Sequence, residues 1–229
     1  MTSGPGRSII AVDGIDGSGK SVLAGQLTAA AARAGIPAVV LGVDDFRRPV
    51  DWTAGGRTEA EVYYDDYYDL AHLDRCLRAY TEGVASVEIP VFDSTSERLH
   101  GTRTIAFAGA AVAVVEGVFA LRVAAVAEHA ALVYLRTSFS EARRRVLARD
   151  TARGRTAENV NHRIDARYFP AQERYLREHD PVSRADIVME NEDFAARRIS
   201  RLDGGRLPPA LAQVLQVTLG AFASPRPVE

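Results

Sequence analysis

Lysine is almost absent from this chain of 229 residues. Of its 28 basic residues only Lys20 is a lysine, and the other 27 are arginine. That scarcity excludes a guanine-nucleotide switch, whose base-reading N-K-x-D segment would need a lysine elsewhere. Cysteine is as scarce. Cys76 stands alone, so no intrachain disulfide can form, which fits a reducing compartment. No apolar run approaches the roughly 20 residues that span a bilayer. Met1 to Arg7 lack the basic-then-apolar pattern of an export signal. A cytoplasmic protein without a membrane partner is the expectation. The net charge of −2 is too small to draw the whole molecule to nucleic acid. Repeats, low-complexity blocks and interdomain linkers are missing as well, so residues 1–229 are expected to form a single domain.

What is present is organised around Gly14-Ile15-Asp16-Gly17-Ser18-Gly19-Lys20-Ser21. The apolar run Ile9-Ile10-Ala11-Val12 precedes it and Val22-Leu23-Ala24 continues it, so it reads as strand, glycine loop and helix with G-x-x-x-x-G-K-[ST] spacing. Glycines let backbone N–H groups curl around an anion, and the new helix adds its unpaired N–H groups and positive dipole end. The nucleotide-binding set is Gly14, Asp16, Gly17, Ser18, Gly19, Lys20, Ser21 and Val22. Lys20 reaches the β- and γ-phosphates, and the Ser21 hydroxyl is a Mg²⁺ ligand. A guanidinium is too broad for the position of Lys20 in such a loop, which accounts for the one lysine kept in an arginine-rich chain.

Further apolar runs end in acids. Ala38 to Val43 reads as a parallel strand covered on both faces and closes on Asp44-Asp45-Phe46. Ala111 to Val115 reads the same way and closes on Glu116-Gly117. Ligands of open α/β sheets collect at the carboxyl ends of strands. Asp44, Asp45 and Glu116 are therefore candidates for a base or for partners of metal-bound water, against the simpler reading of turn and helix caps. Tyr63 to Leu70, with Tyr67 and Asp69, is an aromatic and acidic cluster, either a substrate wall or an acidic helix start. Residues 50–61 read as a mobile loop, 104–107 as a short strand, and 131–135 and 185–189 as further strands. A helix is expected over 157–178, broken near Phe169-Pro170, with a closing helix over 211–222 and a frayed tail over 223–229. Arg145, Arg149 and Arg153 are four apart and share one helical face. That face suits a triphosphate, or else it is a solvated basic surface. Gly154 fits the hinge of a lid over 139–156.

Taken in order, these motifs resemble the uridine kinase / phosphoribulokinase branch of P-loop kinases over about Ile9 to Asp193. The carriers are Gly14 to Ser21, Asp44-Asp45-Phe46, Ile89 to Asp93 with Arg98, Val115-Glu116-Gly117, the arginine-rich lid and Ala185 to Val188. The resemblance implies a three-layer α/β fold, a five-stranded parallel sheet with helices on both faces. It implies transfer of a phosphoryl group from ATP, with Mg²⁺, to a hydroxyl of a small alcohol. Asp44 would be the base and Asp45 a partner of Mg²⁺-bound water. Lys20, Arg145 and Arg149 would neutralise charge, and Asn191 would pack near the adenine. The acceptor side would comprise Asp44, Phe46, Tyr67, Asp69, Phe92, Arg98 and Glu116, and Ser21, Asp45 and Glu116 would serve the metal. Phe92 stands where the branch carries a tyrosine, and the following turn, Ser94 to Glu97, lacks the histidine of uridine–cytidine kinases. Pyrimidine is therefore not implied as the acceptor; other sugar-like or pantothenate-like alcohols fit as well. A homodimer is compatible with the resemblance. The competing classes are a P-loop ATPase without an acceptor and a nucleotide-binding regulator.

Overall fold

A computed structural model describes residues 7–203. The helix expected over 211–222 and the tail lie outside the described residues. Strand β1 (Ser8–Gly14) runs through the glycine loop into α1 (Lys20–Arg33). β2 (Ala38–Gly42), α2 (Glu59–Asp65), α3 (Leu70–Thr81) and a hairpin of β3 (Ser86–Asp93) and β4 (Arg98–Ala106) follow. β5 (Val112–Glu116), α4 (Ala124–His129) and β6 (Ala130–Arg136) return to the main sheet. α5 (Phe139–Ala152), α6 (Ala157–Arg163), α7 (Phe169–His179) and α8 (Pro181–Arg184) lead to β7 (Ile187–Glu190) and β8 (Arg198–Leu202).

The main sheet has the order β2-β5-β1-β6-β7-β8. Five strands are parallel, as expected, and β8 adds an antiparallel sixth at one edge. The period of two along each strand divides the apolar side chains between two cores. Ile9, Ala11, Ala113 and Val115 pack with Leu73 and Leu77 of α3. Ile10, Val12, Val112 and Val114 pack with Leu23 and Leu27 of α1. After β1 the chain goes to one side, and it later lays β6 on the other, so a crevice opens at the carboxyl end of β1. The register fixes its rim, because Glu116 lies level with Val12 on one side and Gly42 on the other.

Several local expectations change. β2 is an edge strand, and Val40 is exposed rather than covered. The loop read over 50–61 already turns helical at Glu59. Thr58 Oγ1 accepts the Glu61 amide at 3.2 Å and Glu61 accepts the Thr58 amide at 2.7 Å, a reciprocal cap. β4 is longer than 104–107, because its outer residues are exposed and polar and carry no apolar alternation. The helix over 157–179 is not broken at Pro170. Ile164–Tyr168 form a π turn that joins α6 to α7, and Pro170 sits in the first turn of α7, where a missing N–H costs little.

Candidate active site

The glycine loop turns through Gly17 and Gly19, at φ 77° and 97°. Packing forbids a side chain there as well. A Cβ on Gly17 would stand 2.7 Å from Ala142 O, and one on Gly19 would stand 2.8 Å from Phe194 Cε1. The curl is thus held from outside, by α5 and by the residues after β7. Asn191 is buried and donates Nδ2 to Ser18 O at 2.5 Å. Arg145 donates to Gly17 O at 3.2 Å and to the carbonyls of Asn191 and Glu192 at 2.8 Å. Its guanidinium also lies 3.9 Å from the centroid of the Phe194 ring. Arg145 and Asn191 thus brace the loop from outside, and Arg145 also lines the chamber that the loop borders.

Inside the loop, Lys20 is buried and donates Nζ to Ile15 O at 2.9 Å. The Ser18 hydroxyl is buried with no partner among the described residues. Ser21 Oγ donates to Glu116 Oε2 at 3.1 Å, which brings two of the expected metal residues together. Burial raises the Glu116 carboxyl above its ordinary range, and Asp44 and Asp45 add to the rise against Lys20 and Ser21. Asp45 is committed elsewhere. Its Oδ2 accepts the Gly42 amide at 3.2 Å and pairs with Arg103 of β4 at 2.7 Å.

Two chambers meet beyond the loop. One, of about 580 Å³, is lined by Gly17, Gly19 to Val22, Glu116, Arg145 and Phe194 among others. The second, of about 470 Å³, is walled by Arg47, Tyr63, Tyr67, Tyr68, Thr95, Glu97, Arg155, Arg163 and Tyr168. Asp16, Asp44, Arg149 and Arg153 line both. Asp44 is exposed in this shared wall. Its Oδ1 accepts the Tyr68 hydroxyl at 3.2 Å, and Tyr68 meets the Tyr63 hydroxyl at 2.9 Å. Burial holds both phenols well above their ordinary pKa, so they stay protonated. Arg149 Nε pairs with buried Asp150 at 2.7 Å, and Arg155 pairs with the other oxygen of Asp150 at 3.1 Å. Burial alone would raise the Asp150 carboxyl, but these arginines pull it below its usual range. All three members of the arginine face read on α5 line a chamber: Arg149 and Arg153 line both, and Arg145 lines the one at the loop while also holding the loop's backbone. The segment 139–152 is a helix docked on the loop, with Ala142 and Val146 packed against Ile15.

Some expected residues stay outside. Phe46 is buried, edge-on to His72. Asp69 caps α3 by accepting the His72 amide at 2.9 Å. Arg98 is exposed at the turn end of the hairpin, opposite Asp93. Phe92 supports the wall from behind, 6.1 Å from the Tyr67 ring and under Arg47. Tyr67 does line the second chamber. Tyr63 and Tyr68, read within the aromatic cluster as a possible substrate wall, do line the second chamber, and the lining residues missed by sequence reasoning are Arg47, Glu97, Asp150, Arg155, Arg163, Tyr168 and Phe194. Arg47 follows Asp44-Asp45-Phe46 directly and was within reach. Arg163 and Tyr168 flank or sit in a π turn that no local pattern announces.

A phosphate loop at the switch point of a parallel sheet, an acid on the neighbouring strand and a second chamber beyond it define a P-loop phosphotransferase. The model of the Phosphoribulokinase / Uridine kinase family matches residues 9–194, and the chain belongs to that family. No curated protein sequence matches it significantly. Among solved structures it resembles one described as a possible uridine kinase from Bacillus stearothermophilus. That pair has a TM-score of 0.62 and 24% identity over 81% of this chain and 90% of the other. It also resembles a phosphoribulokinase from Rhodobacter spheroides, with a TM-score of 0.59 and 18% identity over 82% and 71% of the two chains. These likenesses speak for the fold, and the family is one of kinases. Among the described residues no helix is long and apolar enough to cross a membrane.

Proposed function

We propose that the protein transfers the γ-phosphoryl group of ATP to a hydroxyl of a small sugar-like alcohol. One observation carries this reading: Asp44 stands, exposed, in the wall shared by the phosphate-loop chamber and the tyrosine-lined chamber. A hydrolase or a nucleotide sensor has no need of a second chamber with a carboxylate at its mouth. The loop residues fit a triphosphate. Among the described residues the Ser18 hydroxyl has no partner and the Lys20 ammonium donates to one backbone carbonyl, so both are groups that an anion would satisfy. Mg²⁺, when bound, would neutralise phosphate charge, and Ser21 and Glu116 are the side chains that would hold it.

The remaining chemistry belongs to this chain. The loop amides and Lys20 fix the nucleotide tail, and the tyrosine-walled chamber fixes the alcohol, so the attacking oxygen arrives in line. Asp44 takes the hydroxyl proton as the new O–P bond forms and the bond to the leaving ADP breaks; the proton then passes to solvent. Tyr68 holds the Asp44 carboxylate while this happens. Arg149 and Arg153, common to both chambers, draw off negative charge that builds between them.

The test is ADP release with Mg·ATP alone and with nucleosides, free ribosides, sugar phosphates and pantothenate. Acceptor-dependent ADP release with a matching phosphoester is the expected result. Acceptor-independent hydrolysis would point to an ATPase, and binding without turnover for every alcohol would point to a regulator; either outcome rejects the kinase reading.

A further inference from the structure

Asp16 is an odd residue for a loop that curls its amide protons around an anion, because a carboxylate there repels the ligand. The fold draws it aside. Gln172, itself buried on α7, grips it twice: Nε2 donates to Asp16 Oδ2 at 2.7 Å, and Oε1 accepts the Asp16 amide at 3.1 Å. The Tyr63 hydroxyl approaches the same oxygen at 3.5 Å, so the Tyr63–Tyr68 pair joins Asp16 to Asp44. Each carboxylate keeps one oxygen, Asp16 Oδ1 and Asp44 Oδ2, with no hydrogen-bond partner among the described residues. Both residues stand in the wall shared by the two chambers, and so face the chamber away from the phosphate loop as well as the one at it. Burial raises the Asp16 carboxyl, and the charge of Asp44 adds to the rise against Lys20 and Arg149. A carboxylate oxygen open to a chamber is hydrated until a ligand enters, and a ligand that displaces that water without donating a hydrogen bond in its place loses affinity.

Resting on the kinase reading above, we infer that the acceptor is a polyhydroxy compound read by two carboxylates. Asp44 engages the hydroxyl that is phosphorylated, and Asp16 engages a neighbouring hydroxyl of the same molecule. Asp16 is then a specificity residue for the acceptor and not a nucleotide ligand, although it belongs to the phosphate loop. An analogue lacking the second hydroxyl leaves Asp16 Oδ1 unpaired in the chamber, and that penalty is the source of discrimination.

The experiment compares turnover of uridine with 2′-deoxyuridine and 3′-deoxyuridine, and of D-ribose with 2-deoxy-D-ribose, under saturating Mg·ATP. It uses the full chain and the variants Asp16→Asn and Gln172→Leu. The wild type is expected to prefer the diols by about 10- to 150-fold, the range for one hydrogen bond to a charged group. Asp16→Asn is expected to bring that preference within about threefold while the KM for ATP and the melting shift given by an ATP analogue stay near wild type. Gln172→Leu, which frees the carboxylate to swing, is expected to act in the same direction. It supplies the reading if Asp16→Asn fails to fold. Deoxy compounds turned over as well as diols would overturn the inference and leave the kinase reading standing. So would an Asp16→Asn enzyme that keeps its diol preference and loses ATP affinity. If no alcohol is phosphorylated or shifts the melting temperature, the kinase reading falls and this inference falls with it.

Discussion

Replacing Asp44 with asparagine separates the two chambers chemically while leaving their shape in place. The side chain is exposed, and among the described residues its one side-chain hydrogen bond comes from the Tyr68 hydroxyl at 3.2 Å, which an amide oxygen accepts as well. Folding stability should therefore change by no more than about 0.5 kcal/mol. Catalysis loses its proton acceptor. A positioned general base contributes about 10²- to 10⁴-fold, so kcat with the acceptor should fall by that factor, equivalent to about 3–5 kcal/mol of barrier. ATP binding should be unchanged or slightly tighter, because a negative charge leaves the shared wall. The carboxyls of Glu116 and Asp16, both pushed upward in part by the charge of Asp44, should drift back toward their ordinary range. Acceptor-dependent ADP release measures the first effect, and calorimetry with a non-hydrolysable ATP analogue measures the second. An Asp44→Asn enzyme whose kcat stays within about threefold of wild type would remove Asp44 from the chemistry, since so small a loss is far below general-base magnitudes.

Other consequences follow from the same geometry. Asp13, buried under the loop and bonded to the Tyr175 hydroxyl and the Gly14 amide, has its carboxyl raised by burial from 3.8 to about 6. Between those values the unfolded chain has released this proton and the folded chain has not, so stability falls as pH rises, by about 3 kcal/mol in total. Denaturant titrations from pH 4 to 7 should show that downward contribution in the wild type and lack it in Asp13→Asn. Gly117→Ala should destabilise by about 2–4 kcal/mol, measured by urea midpoint, since overpacking and backbone strain combine. The new Cβ would lie 2.4 Å from Val43 Cβ at a φ of 153°. Glu116→Gln keeps a partner for Ser21 but removes a charge, so the Mg²⁺ concentration needed for tight nucleotide binding should rise about tenfold in a calorimetric titration. Tyr68→Phe removes the donor to Asp44 and leaves the buried Tyr63 hydroxyl short of a partner, at a cost of about 1–2 kcal/mol of stability. It should lower kcat/KM for the acceptor more than the KM for ATP.

The local chemistry was legible in the residues themselves. Gly14 to Ser21 announces its loop because only one spacing of glycine, lysine and serine wraps an anion ahead of a helix. The apolar runs that end in Asp44 and Glu116 announce parallel strands, whose carboxyl ends are where ligands gather in such sheets. The family resemblance rested on the order of those local signals, and the match over residues 9–194 agrees with it. Arg145 and Asn191 show where that legibility stops. Residue type and helical spacing could not show that Arg145 holds Gly17 O, because that partner lies 128 positions away in the chain. The same holds for Asp16, whose partner Gln172 lies 156 positions away. Short-range pattern reports the backbone conformation that neighbouring residues favour; which side chains share a chamber depends on how distant elements pack, and that was decided only in three dimensions.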